Sequence, residues 1–175
     1  MGRLLVLFVP LCLFLSGCLG LGYQVGAKSL FGQDVRTVYV PIFETEDTNR
    51  DLAERLTEAV CKRIETRTPY KVVGRPTADS ILEGRIVSRK QFASITDTWS
   101  DPRQKTGSLQ VKVQWRDRRD RDLTHSDTIP WNDGSGTINA GGFMVAEFGH
   151  SEMTMEQDYI NEVADKIVGM MEVPW

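Results

Sequence analysis

The chain has 175 residues, is 41% hydrophobic and 26% charged, and carries a formal net charge of −3 from 21 Lys and Arg against 24 Asp and Glu. This length allows one domain of ordinary size with its own core, and the slightly acidic balance excludes the basic field on which nucleic-acid binding depends. Of the three cysteines, Cys12 and Cys18 fall near the N-terminus, so Cys61 is left without an intramolecular disulfide partner and no closed cysteine metal set exists.

Arg3, the apolar run Leu4 to Leu15 and the sequence Leu15-Ser16-Gly17-Cys18 together resemble a bacterial lipoprotein signal. A membrane-spanning helix needs about 20 apolar residues, and Gly17, Gly20 and Gly22 interrupt the run before it reaches that length. Residues 1–17 are therefore expected to be a cleaved signal peptide, 18–34 a lipidated linker and 35–175 a single domain. Cys18 is the expected lipidation site, carrying a diacylglycerol and an N-acyl chain such as palmitate, and no other cofactor is expected. Each buried methylene adds about 0.8 kcal/mol, so two or three chains anchor stably where one does not. Leu19 stands where an aspartate would signal inner-membrane retention, which points to the outer membrane, periplasmic side.

Past a glycine-rich exit, Thr37-Val38-Tyr39-Val40-Pro41-Ile42-Phe43 reads as a strand, with Pro41 requiring an edge or a bulge. A helix follows over about Asp51 to Arg67, with Thr48 or Asn49 as cap and Leu52, Leu56, Val60 and Ile64 forming one apolar stripe. Cys61 lies in this pattern as a small packed side chain. Thr68-Pro69 ends the helix, and Tyr70 to Val73 forms a second strand.

Ser80 to Ile95 reads as one long strand with Leu82, Gly84 and Ile86 on one face, Gly84 marking a close backbone approach. Ser108 to Arg116 alternates strictly, burying Leu109, Val111, Val113 and Trp115. Asp117 to Asp122 reads as a solvated hairpin tip, Leu123 to Trp131 as a fifth, edge strand, and glycine-rich Asn132 to Gly142 as a loop. A final helix begins near Ser151 or Thr154 and buries Ile160, Val163, Ala164, Ile167, Val168 and Met171, with Glu156, Asp158, Glu162 and Asp165 on its outer face. The expected fold is α+β and two-layered: two helices packed on one face of a four- or five-stranded, mostly antiparallel sheet.

No catalytic signature emerges. His125 and His150 lie apart, without a serine elbow or paired metal-ligand spacing, and Gly134-Ser135-Gly136-Thr137 lacks the lysine of a phosphate loop. The protein is not expected to be an enzyme or to bind a metal.

The motifs Leu15-Ser16-Gly17-Cys18, Tyr23, Val38 to Phe43, Leu56-Thr57-Glu58-Ala59-Val60, Ala78 to Gly84, Val113 to Asp117 and Met171-Glu172-Val173-Pro174-Trp175 follow one another along the chain. In that order they resemble the LptE-type lipopolysaccharide-assembly lipoproteins over nearly the whole mature chain. The resemblance implies an outer-membrane lipoprotein that plugs a large β-barrel translocon of the LptD type, binds lipopolysaccharide and helps deliver it to the outer leaflet. It also implies two helices against a four-stranded sheet, and it matches no family element to residues 132–142.

Independently of the family, Arg89, Lys90, Arg103 and Lys105 flank one turn with Trp99 between them. Cations there suit the phosphates and carboxylates of lipopolysaccharide through charge-assisted hydrogen bonds. The alternative is an envelope lipoprotein of another type, activating a peptidoglycan synthase or assembling a secretion channel.

Overall fold

The computed structural model describes residues 30–32, 34–45, 50–96, 102–124, 131–132, 135–145 and 148–172. The expected signal peptide, Cys18, the caps Thr48 and Asn49, Trp99 and His125 lie outside the described residues. The elements are β1 (Thr37–Tyr39), β2 (Glu44–Thr45), α1 (Arg50–Arg67), β3 (Lys71–Val72), a 3-10 turn (Arg75–Thr77), β4 (Ser80–Thr96), β5 (Pro102–Asp117), β6 (Trp131–Asn132), β7 (Ser135–Val145) and α2 (Glu152–Gly169). The strands form one sheet in the order β3-β1-β4-β5-β7-β6, with β2 pairing β4 beyond the end of β1.

The α+β, two-layer arrangement is as expected, with two differences in the sheet. It is mixed: β1 runs parallel to β3 and to β4 and β2 runs parallel to β4, while the pairs β4–β5, β5–β7 and β7–β6 are antiparallel. A helix between β1 and β3 returns the chain to its starting end, which makes that pair parallel. Among the described residues the sheet also has seven strands, because the expected first strand stops at Tyr39 before Pro41, β2 forms just beyond its expected end, and the glycine-rich segment contributes β6 and β7. A proline has no amide to donate to the ladder, so the chain leaves β4 there and rejoins it at Glu44.

Residues 135–145, read from sequence as mostly loop, are a strand paired with β5 over ten positions from Val113↔Gly136 to Gln104↔Val145. Their glycines answer to the helix above. A Cβ on Gly142 would lie 2.9 Å from the Met155 carbonyl oxygen and 3.0 Å from its Cγ. Gly107, its partner across the ladder, lies under Met155 and Tyr159 in the same way. The first turns of α2 thus rest directly on the sheet. The expected close approach at Gly84 is also present, made by the ring of Phe43. Of the expected edge strand from Leu123, only Trp131–Asn132 is a strand; Asp122 makes an isolated bridge to Arg116, and residues 125–130 lie outside the described residues.

The core lies between the layers. Leu52, Leu56, Val60 and Ile64 of α1 and Tyr159, Ile160, Val163 and Ile167 of α2 bury against Leu82, Ile86, Leu109, Val111, Val113 and Ile138 of the sheet. Cys61 packs half-buried at its rim, where burial raises the thiol pKa. Ser151 caps α2, its hydroxyl accepting from the Thr154 amide at 3.1 Å. Along the outer edge of β7, Glu162 accepts from the Gly141 amide at 3.2 Å and Lys166 donates to the Asn139 carbonyl at 2.6 Å.

The family-like run from Ala78 to Gly84 holds β1 to β4. Oδ2 of Asp79 accepts from the Thr37 hydroxyl at 2.8 Å and from the Arg36 and Thr37 amides at 3.2 Å. The Ser80 hydroxyl donates to the Thr37 carbonyl at 3.2 Å and accepts from the Trp115 indole at 3.0 Å. The turn after β5 joins this knot, because Arg118 donates to the carbonyls of Ala78 and Pro76. The tip read as solvated is therefore tied down through one arginine.

The Thr37 hydroxyl, aided by the two amides, holds the Asp79 carboxyl below its ordinary value of 3.8. A depressed carboxyl contributes stability that is complete above about pH 4 and is lost as the pH falls through its lower folded value. Asp79→Asn should destabilise the domain by about 1–3 kcal/mol at pH 7 and show a flatter loss of stability in acid than the wild type, measured by urea unfolding at pH 7 and pH 3. Gly142→Ala should cost about 1–3 kcal/mol, read as a lowered unfolding midpoint, because a backbone carbonyl opposes the added methyl.

Candidate ligand-binding face

A 17-residue strand spans roughly 55 Å and an 18-residue helix about 27 Å, so the ends of β4 and β5, past Ala93 and Lys105, run beyond the helix layer. The register between these strands shifts between Ile86 and Ser88, leaving Val87 as an extra, exposed residue. Beyond the shift, Arg89 pairs with buried Leu109 and points to the helix side, whereas Lys90 pairs with Ser108 and Phe92 with Thr106 on the opposite, open face.

The two faces treat charge differently. On the helix side, Glu156 is nearly buried between Arg55 of α1 at 2.6 Å and Arg89 of β4 at 2.8 Å, and Tyr159 donates its hydroxyl to the same carboxylate at 3.3 Å. This corrects the expectation that Glu156 lies on the outer face of the helix: two arginines from separate elements supply the countercharge that lets the carboxylate turn inward. Lys105 binds Glu152 at the start of α2, and that hydrogen bond, reinforced by the lysine's charge, lowers the Glu152 carboxyl pKa. Arg89 and Lys105, expected as ligand contacts, thus fasten α2 to the sheet.

On the open face, Arg85 pairs with Glu44, and Arg116 pairs with Glu83 and Asp120. Lys90 and Lys112 are exposed and meet no carboxylate among the described residues. Phe92, Thr106 and Phe143 form one row across β4, β5 and β7, with the two rings 60% and 59% exposed. The His150 ring lies 6.3 Å from that of Phe143. Further down the same face, a groove of about 580 Å³ is lined by Ile42, Glu44, Arg85, Val87, Lys112 and Gln114, among others.

Of the expected contacts, Arg89 and Lys105 face the helices, Lys90 faces outward, and Trp99 and the side chain of Arg103 lie outside the described residues. Sequence reading missed Phe92, Phe143 and Lys112 as one surface. Alternation along β5 marks Lys112 as outward, but nothing in the sequence announces the shift at Val87 that decides which way Lys90 and Phe92 point. Among the described residues there is no cluster of three metal-ligating side chains, and no helix is long and apolar enough to cross a membrane.

Helices on one sheet face and an amphiphilic surface on the other define a two-layer α+β domain. The chain belongs to the LptE lipopolysaccharide-assembly family, whose model matches residues 35–170. Its fold is similar to that of an uncharacterized lipoprotein B from Nitrosomonas europaea, at 14% identity and TM-score 0.54 over 85% of this chain and 88% of that one. A hypothetical protein from Chlamydia trachomatis matches at 10% identity and TM-score 0.52, covering 78% and 98% of the two chains. A PelC dodecamer from Paraburkholderia phytofirmans matches at 8% identity and TM-score 0.52, covering 86% and 95%. No curated protein matches the sequence significantly.

Glu156→Ala should be the most damaging charge deletion in the domain, costing about 3–5 kcal/mol in denaturant unfolding, because it leaves two arginines facing each other without their shared carboxylate.

Proposed function

We propose that this protein is a non-catalytic, lipid-anchored factor of the outer membrane that binds lipopolysaccharide and assists its assembly at a β-barrel translocon. Family membership supports the lipopolysaccharide-assembly role, and the lipoprotein-like N-terminus supports the anchor.

The observation that carries the reading is the polarity of the domain. Phe31 bridges Glu172 just beyond α2 and stacks edge-on against Tyr70, which in turn contacts Trp115, all at the end where β4 begins. Lys90, Phe92 and Phe143 lie towards the opposite end of the strands. A tether from Cys18 to Phe31 is thirteen residues and reaches about 45 Å at most. A chain anchored at one end of the sheet therefore offers the opposite end, with Lys90, Phe92 and Phe143, for substrate or barrel.

The test is affinity capture with the full-length protein purified from membranes, the bound proteins being identified by mass spectrometry. A large outer-membrane β-barrel in stoichiometric amount is the expected result, and Cys18→Ala should abolish acylation and membrane retention. Capture of a peptidoglycan synthase or a secretion component instead would overturn the function while keeping the anchor. A second reading, a dodecameric envelope protein, draws on the fold shared with the PelC dodecamer. Light scattering separates the two: a particle of about one chain mass opposes a dodecamer, and a multiple near twelve supports it.

A further inference from the structure

Four arginines and lysines around the sheet are paired with carboxylates: Arg89 with Glu156, which Arg55 shares, Lys105 with Glu152, Arg85 with Glu44, and Arg116 with Glu83 and Asp120. Lys90 and Lys112 share the open face and meet no carboxylate among the described residues, so this face keeps two positive charges on a chain that is negative overall. Ser108, the partner of Lys90, lies four residues from Lys112 on β5, which sets the two lysine Cα atoms about 14 Å apart.

Each lysine has apolar surface beside it. Phe92 follows Lys90 two residues later on the same face and is joined across Thr106 by Phe143. Lys112 lines the groove that also holds Ile42, 64% exposed, and Val87, 43% exposed. Exposed apolar residues grouped around unneutralised cations mark an interaction surface, and their chemistry complements a molecule with anionic groups on an apolar body.

Resting on the lipopolysaccharide reading, we infer that the open sheet face, and not the turn or the helix side, is the glycolipid-binding surface. A glycolipid bearing two phosphates lies along β4 and β5, its phosphates meeting Lys90 and Lys112 and its acyl chains meeting Phe92 and Phe143. Arg89 and Lys105 take no part, since they lie on the helix side and pair with α2. The lower groove, open and partly polar, receives the sugar nearest Lys112.

The test measures binding of diphosphoryl lipid A, monophosphoryl lipid A and phosphatidylglycerol, each presented in detergent micelles, to the full-length protein in the same detergent. The proteins compared are the wild type, K90E/K112E and F92S/F143S. All four side chains are exposed, so thermal unfolding should match the wild type and establish that the variants are folded. Expected are a loss of at least tenfold in diphosphoryl lipid A affinity for each double variant, and weaker binding of the monophosphoryl form by the wild type.

If the wild type binds lipid A and both variants bind it equally well, the face is not the site although the proposed function stands. If the wild type binds no lipid A, the proposed function itself fails. Equal binding of phosphatidylglycerol and lipid A, lost together in K90E/K112E, would make the face a general membrane contact and overturn the glycolipid assignment. Should the variants keep lipid A binding but lose a co-purifying barrel, the occupant is protein and the inference is again overturned.

Discussion

The organisation of this domain follows from a mismatch of lengths. An α-helix rises about 1.5 Å per residue and a strand about 3.3 Å, so helices and strands of nearly equal residue count cannot cover one another. Here α1 and α2 cover the sheet from Leu82 and Trp115 as far as Gly107 and Gly142, and the ends of β4 and β5 extend beyond them. Burial builds the helix side. The opposite face has no helix against it, and Lys90, Phe92, Lys112 and Phe143 stand exposed there.

At the far end of the helix layer the packing becomes polar. Gly107 and Gly142 let α2 settle onto the strands, and immediately beside them Glu156 draws Arg55 and Arg89 inward while Lys105 reaches Glu152. A buried carboxylate shared by two arginines is costly to desolvate and adds little net stability over apolar packing, but it tolerates only one placement of its partners. Three elements, α1, α2 and β4, are thereby held in one relative position where the core thins out. The Asp79 knot does the corresponding work at the other end, joining β1, β4 and the turn after β5.

Patterns of period two and period four in the sequence foretold most of the helix side. The stripe of Leu52, Leu56, Val60 and Ile64 and the alternation of Leu109 through Trp115 became core as read, because each reports burial by one neighbouring layer. The glycine-rich segment misled for a physical reason. Glycine commonly marks a turn, but at Gly142 it answers to a helix carbonyl contributed by Met155, a contact between residues thirteen apart that no local pattern encodes. Glu156 was hidden in the same way, since an acidic residue on a helix reads as solvated unless its two distant arginines are known. The open face was least legible. One bulge residue at Val87 exchanges inward and outward positions as far as Ala93, and so decides that Arg89, and not Lys90, faces α2.

The outer edge of β7 has a consequence of its own. Among the described residues, β7 is eleven residues long and pairs with β6 at two positions, and the backbone groups along such an edge are what an extended segment from another molecule copies in strand addition, the usual route to uncontrolled oligomers. Glu162 and Lys166 occupy the middle of that edge, one on the Gly141 amide and the other on the Asn139 carbonyl. A newcomer would have to displace an acid and a base that also bind each other. The edge is thus closed to templated growth by two side chains of α2, and association is steered away from the rim of the sheet towards its face.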